Sequence, residues 1–92
     1  MLYNTLRQYE YIVAIAEAKS LTQAAALLNV SQPSLSVAIT RVEQRLGAPI
    51  FVRGKGAALE ITPYGHRIVQ SARELLAMAA KIEQKHDISR PF

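Results

Sequence analysis

Between Ser31 and Gly47 the chain reads S-Q-P-S-L-S-V-A-I-T-R-V-E-Q-R-L-G, and its hydrogen-bonding side chains fall at helical spacing. Gln32 carries an amide donor and acceptor together, Ser34, Ser36 and Thr40 carry hydroxyls, and Arg41 carries a guanidinium fork. On a 3.6-residue period Pro33, Val37, Thr40 and Gln44 form one line, with Ser34, Ser36 and Arg41 on its flanks. This face is short-chained and nearly free of acid. It suits a surface that lies against DNA, and it suits an ordinary wet surface equally well, so this stretch leaves both readings open. Acid–base, nucleophilic and metal chemistry have less to draw on. There is no cysteine, His66 and His86 lie far apart, and Glu10, Glu17, Glu43, Glu60, Glu74 and Glu83 are scattered without metal-ligand spacing. G-K-G is too short for a phosphate loop. His66 reads as a packing or surface residue, and Glu43 as a helix–helix contact or salt-bridge residue. No catalytic residue, metal or cofactor is expected.

A helix must position that face. Ser31 is a good N-cap, Pro33 falls in the first turn where a missing N–H does little harm, and Gly47 followed by Pro49 makes a natural stop. Leu35, Ala38, Ile39, Val42 and Leu46 form its apolar stripe. Upstream, Leu6, Tyr9, Ile12, Val13 and Ala16 share one side of a helix from about Thr5 to Ala18, with Tyr11 and Ile15 on the other side. Ser20-Leu21-Thr22 breaks it, and Thr22 or Ser20 caps a short second helix, Q-A-A-A-L-L. Asn29 is suited to the left-handed conformation that ends a helix. Only Asn29 and Val30 separate this helix from the Ser31 cap, so the two must cross steeply, in the outline of a helix-turn-helix. A plain helical hairpin is the alternative.

After Pro49, Ile50-Phe51-Val52-Arg53 and Leu59-Glu60-Ile61-Thr62 are short β-prone runs around the turn-forming G-K-G-A-A, which predicts a two-stranded wing leaning on the helices. Thr62 can cap a last helix with Pro63 in its first position. Along that helix Ile68, Ala72, Leu75, Ala79 and Ile82 alternate four and three apart, a seam suited to the same helix of a second copy. Val69 and Leu76 form the adjacent inner stripe. Asp87 to Phe92 reads as a linker.

The 92 residues amount to one domain, half of them hydrophobic, with formal charge +4 and a pI of about 9.8. A basic balance fits a polyanionic partner and says nothing about fold. Without cysteine there are neither disulfides nor thiolate metal sites. No run approaches the roughly 18 apolar residues of a membrane span, and the N-terminus has no basic region followed by an apolar stretch. The expected location is the cytoplasm.

The run S-L-T-Q-A-A-A-L-L-N-V-S-Q-P-S-L-S-V-A-I-T-R-V-E-Q-R-L-G-A-P-I-F-V-R followed by I-T-P-Y-G resembles the N-terminal domain of LysR-type transcriptional regulators, over roughly Leu6 to Lys85. The resemblance implies a mainly α winged helix-turn-helix with a two-stranded wing and a long C-terminal dimerisation (linker) helix. It assigns residues 1–62 to the DNA-binding domain, 63–86 to the linker helix and 87–92 to the start of a hinge. It implies double-stranded DNA as partner, read as an interrupted palindromic operator by a homodimer paired antiparallel through the last helix. The recognition helix, residues 32–46, would enter the major groove, and the wing, residues 50–62, the adjacent minor groove. Members are about three times longer, usually tetramers, and sense a small-molecule effector through a C-terminal domain. This chain therefore looks like the DNA-binding part of such a regulator.

By motif position the DNA-facing set is Thr22, Ser31, Gln32, Pro33, Ser34, Ser36, Val37, Thr40, Arg41, Arg53, Lys55 and Thr62. The resemblance implies Gln32 as the base reader, Thr22 and Ser36 as phosphate-positioning hydroxyls and Arg53 as a phosphate contact at the base of the wing; Arg41 points outward beside Thr40, within reach of another phosphate. Two positions depart from the family pattern. Val37 stands where many members carry arginine, and its methyls suit a thymine methyl rather than guanine. In the wing, G-K-G-A-A leaves only Lys55 where many members have arginine. A helical dimerisation module that binds protein would explain the last helix but not the acid-poor face of Ser31–Leu46.

Overall fold

The computed structural model describes residues 2–54 and 58–84, with side chains from Leu6 onward. Four helices and a two-stranded sheet follow in the order α1 (Leu2–Ala18), α2 (Leu21–Leu28), α3 (Gln32–Leu46), β1 (Phe51–Arg53), β2 (Leu59–Ile61) and α4 (Pro63–Glu83). Lys55 and the expected linker from Asp87 to Phe92 lie outside the described residues.

Local chemistry sets most of the boundaries. α1 begins at Leu2 rather than Thr5, since no breaker interrupts L-Y-N-T. It ends where Lys19 turns left-handed, at φ 56°, with its N–H on the Ile15 carbonyl at 2.7 Å. Ser20, in extended conformation, is the cap of α2 and accepts the Gln23 N–H at 3.2 Å. Leu21 therefore opens the helix instead of breaking the chain, and Thr22 lies inside the first turn. Asn29 takes φ 60°, and Val30 donates back to the Ala25 carbonyl at 3.0 Å, which closes α2. Ser31 caps α3 by accepting the Ser34 N–H at 3.1 Å, and Gly47 at φ 89° ends it with its N–H on the Glu43 carbonyl.

The core lies where α1, α2 and α3 meet. Ile12, Ile15, Leu35, Val42 and Ile50 are its fully buried large side chains, with Ala24, Ala25, Ile39 and Val69 around them. Ala24 and Ala25 have no bulk beyond Cβ, so α2 can approach α1 and α3 closely enough to fix the steep crossing. Burying each large aliphatic side chain contributes about 1.5–3 kcal/mol before the entropy of ordering is counted.

The sheet is antiparallel, with Phe51 opposite Ile61, Val52 opposite Glu60 and Arg53 opposite Leu59. Its strands are three residues each, too short to stand alone. Four attachments hold them to the helices. The Glu43 carboxylate accepts the N–H groups of Ile50 at 2.7 Å and Phe51 at 3.2 Å. Sequence reading gave Glu43 a helix–helix contact or salt bridge; instead it anchors the start of β1. The Thr62 N–H bonds to the Ile50 carbonyl at 3.0 Å, and the Leu59 N–H reaches the Lys19 carbonyl at 3.4 Å. Gly65 supplies the fourth, because the first turn of α4 presses against Ile50 with no room for a Cβ.

α4 is about 31 Å long at 1.5 Å per residue. It packs along α1, where Arg73 and Glu17 form an ion pair at 2.8 Å. Both partners are substantially exposed, so the pair adds little stability.

Candidate nucleic-acid interface

The apolar stripe of α3 is buried through Leu35, Ile39 and Val42, and this turns the opposite face outward. Gln32, Pro33, Ser34, Ser36, Val37, Thr40, Arg41 and Gln44 are all exposed, with Val37 at 51%. The structure therefore presents the expected face as one continuous strip on a helix held rigidly from behind.

Hydrogen bonds decide which groups on the strip are available. Ser31 Oγ donates to Ser34 Oγ at 2.8 Å, and Thr40 Oγ1 donates back to the Ser36 carbonyl at 3.0 Å. Thr22 Oγ1 donates to Gln32 Oε1 at 3.2 Å. In this arrangement the protons of Ser31, Thr40 and Thr22 are committed within the protein. The Ser34 and Ser36 protons have no acceptor among the described residues, and neither do the terminal amide hydrogens of Gln32. An acceptor such as a phosphate or base-edge oxygen meets donors chiefly from Gln32, Ser34 and Ser36. Thr22, expected as a phosphate-positioning hydroxyl, holds the Gln32 side chain from α2 in this arrangement.

The strip is bordered by two recesses. On one side lies an open groove of about 480 Å³ between α1 and the start of α3, lined by Arg7, Gln8, Tyr11, Pro33, Ser34, Val37, Ala38 and Arg41. On the other side a cleft of about 150 Å³ brings Ser36, Thr40 and Arg53 together with Leu21, Phe51 and Glu43, whose carboxylate is taken up by the β1 backbone. Arg53, distant from α3 in sequence, thus meets the face that the spacing singled out. Thr62 does not join them. Its hydroxyl donates to the Pro49 carbonyl at 2.8 Å and accepts the Gly65 N–H at 2.8 Å, so it serves the junction between wing and α4.

The electrostatics favour an anion. Arg73–Glu17 is the one ion pair among the described residues, so Arg7, Arg41 and Arg53 have no carboxylate within bridging distance. No polar or charged side chain is buried among the described residues, and no three potential metal ligands come together there. Among the described residues no helix is long and apolar enough to cross a membrane.

The seam expected along α4 divides in two. Ala72 is buried and Ile68 half-buried against the domain's own core, beside Val69. Leu75 at 43%, Met78 at 57% and Ile82 at 76% remain exposed, with Ala79 half-buried between them. Met78 was missed because it falls outside the four-three alternation. The attachment of Glu43 to β1 and the position of Arg7 and Tyr11 beside α3 are not legible either, since nothing local in the sequence brings them there.

The family model described as "Bacterial regulatory helix-turn-helix protein, lysR family" matches residues 6–66. The chain belongs to that family. This lysR-family chain is 44% identical over 71 residues to the small neutral protease regulatory protein of Streptomyces coelicolor, covering 77% of its own length and 21% of that protein's. It is 37% identical over 86 residues to the transcriptional regulator BudR of Klebsiella aerogenes, covering 92% of itself and 59% of BudR. The chain thus spans about a fifth of the first relative and 59% of the second. Its fold is the winged helix of solved family members. It superposes on a full-length OxyR variant from Pseudomonas aeruginosa with TM-score 0.80 and 39% identity, over 86% of this chain and 26% of OxyR. The DNA-binding domain of BenM, solved with catB site 1 DNA, matches with TM-score 0.79 and 38% identity, over 84% of this chain and 82% of that one. The DNA-binding domain of CbnR, also solved with DNA, matches with TM-score 0.79 and 33% identity, over 85% and 88% of the two chains.

Proposed function

We propose that this chain binds double-stranded DNA sequence-specifically, as the DNA-binding part of a LysR-type transcriptional regulator acting as a homodimer in the cytoplasm. The observation that carries the reading is the exposed, acid-free strip of α3, anchored from behind by Leu35, Ile39 and Val42 and bordered by unpaired arginines. Two DNA-bound domains of the same fold support it. A helix with its side chains is about 10–12 Å across, which matches a major groove about 12 Å wide.

Within this reading Gln32 reads a base edge, with its amide hydrogens unpartnered among the described residues and its oxygen steadied by Thr22. Pro33 and Val37 supply apolar contact, and Val37 suits a thymine methyl. Ser34, Ser36 and the N-terminal N–H groups capped by Ser31 hold the backbone, with Arg41 and Arg53 on either flank. The wing, residues 50–62, lies at the adjacent minor groove, with Lys55 as its cation. Thr40 stays in the interface as packing surface. The exposed apolar residues of α4 pair two copies, so two α3 helices meet half-sites of an interrupted palindrome about one helical turn, or a multiple of it, apart. In a longer relative an effector domain would follow α4, and the full-length parent would be a tetramer. No catalytic step is assigned to the chain.

Titration of duplex DNA from an unbiased selection, at rising salt, tests the proposal. Affinity should fall steeply, because each neutralised phosphate releases counterions. Binding that is absent at low salt, or indifferent to salt, overturns it.

A further inference from the structure

The groove between α1 and α3 has two arginines on its walls and no acid in its lining. Arg7 does not hang free there. Its Nε donates to the Tyr11 hydroxyl at 2.9 Å, and its guanidinium carbon sits 5.7 Å from the centre of the Tyr11 ring. These two contacts bias an exposed, otherwise mobile side chain towards one orientation before any ligand arrives. The bond uses Nε only. The terminal NH₂ groups have no other hydrogen bond among the described residues, so the bidentate edge of the fork stays open. The hydrogen bond to the Tyr11 hydroxyl also favours the charged form of Arg7, and the Glu10 carboxylate adds to it. Across the groove Arg41 has neither an ion pair nor a hydrogen bond among the described residues.

A helix filling the major groove is flanked by a phosphate backbone on each side. On the wing side of α3 the flank is the cleft of Ser36, Thr40 and Arg53. On the opposite side the strip is bordered by the Arg7–Tyr11–Arg41 groove, whose wall includes Ser34 and Val37 of the strip itself. We propose that this groove is a second backbone-binding site, in which Arg7, held by Tyr11, and Arg41 grip a phosphodiester of the strand opposite the wing. The inference rests on the DNA-binding reading above and assigns to α1 a direct part in it. With Arg7 engaged, the register of α3 in the groove is fixed from both sides. This compensates for a recognition face that has Val37 where a cation would otherwise contribute.

The test compares the full chain with Arg7→Gln, Arg7→Lys and Tyr11→Phe on a selected duplex and on an unrelated one, across a salt series. Thermal melts establish that each variant folds. Arg7→Gln should weaken binding roughly tenfold on both duplexes alike and lower the salt slope by about 0.9 per protomer bound. Arg7→Lys should keep the slope. Tyr11→Phe keeps the ring and removes the hydroxyl, so it should weaken binding by a smaller factor with the slope unchanged. An Arg7→Gln slope equal to that of the wild type, or a loss confined to the selected duplex, overturns the proposal. Should Arg7→Gln melt too low to assay, Tyr11→Phe decides: unchanged affinity overturns the held-arginine site. Failure of the wild type itself to bind in a salt-dependent way marks the failure of the DNA reading, a separate outcome.

Discussion

Thr22 on α2 donates its hydroxyl proton to the side-chain oxygen of Gln32, the first residue of α3, at 3.2 Å. The two helices of the helix-turn-helix are thereby linked through the residue best suited to read a base. Gln32→Ala should cost about 1–3 kcal/mol on the preferred duplex and relax base choice at one position per half-site. Thr22→Val should cost less, about 1 kcal/mol, with folding unchanged. In the double variant the Thr22 effect should vanish, because the side chain it orients is gone. Anisotropy titrations over the four single variants of that base pair measure all three. Additive losses would show that Thr22 acts on DNA independently of Gln32.

Glu43 binds the backbone rather than another side chain. Its carboxylate oxygen takes both the Ile50 and Phe51 N–H groups where the chain returns from α3 into β1. Glu43→Ala leaves two partly buried donors without an acceptor and should destabilise the domain by about 2–4 kcal/mol in urea unfolding. Glu43→Gln keeps one acceptor and should recover about half of that loss. A cost below about 0.5 kcal/mol for the alanine variant would mean that water replaces the carboxylate fully.

Gly65 is buried at the first turn of α4, and a Cβ there would collide with the Ile50 carbonyl and come within 2.9 Å of Ile61 Cγ2. The glycine permits close approach rather than an unusual dihedral. Gly65→Ala should therefore destabilise by about 1–3 kcal/mol through overpacking, despite the better helix propensity of alanine. A melt at or above the wild-type temperature would show that α4 can shift away from β1 without loss.

These residues also mark how far the sequence was legible. The bounds of α3 could be read because its signals are local: Ser31, Pro33 and Gly47 act within one turn of themselves. The turn between α2 and α3 was legible through Asn29 for the same reason. The cap of α2 was not decided, because Ser20 and Thr22 offer the same hydroxyl and only the extended backbone at Ser20 distinguishes them. Glu43 and Gly65 could not be assigned, since their partners come from chain that folds back after Pro49. Thr62 was expected at the DNA and lies in the junction beneath the wing, where its hydroxyl both caps α4 and ties it to Pro49. The face of α3 was legible as a pattern; the hydrogen bonds that leave Ser34 and Ser36 as its free hydroxyl donors were not.

The seam of α4 gives a last prediction, one that the structure makes sharper than the heptad pattern did. Ala72 is 2% exposed against its own domain, whereas Leu75, one turn further along, is 43% exposed and Ile82 is 76% exposed. Charge at these positions should therefore act on different equilibria. Ala72→Asp buries an unpaired carboxylate in the monomer core and should cost about 3–5 kcal/mol of folding stability, seen as a large drop in the urea midpoint at any protein concentration. Leu75→Asp leaves the monomer core intact. It should preserve the helical circular dichroism while shifting sedimentation from dimer to monomer, because the proposed partner helix would have to bury the charge. Leu75→Asp that still sediments as a dimer would place the pairing surface elsewhere on the chain. Ala72→Asp that folds normally would mean that α4 can leave α1.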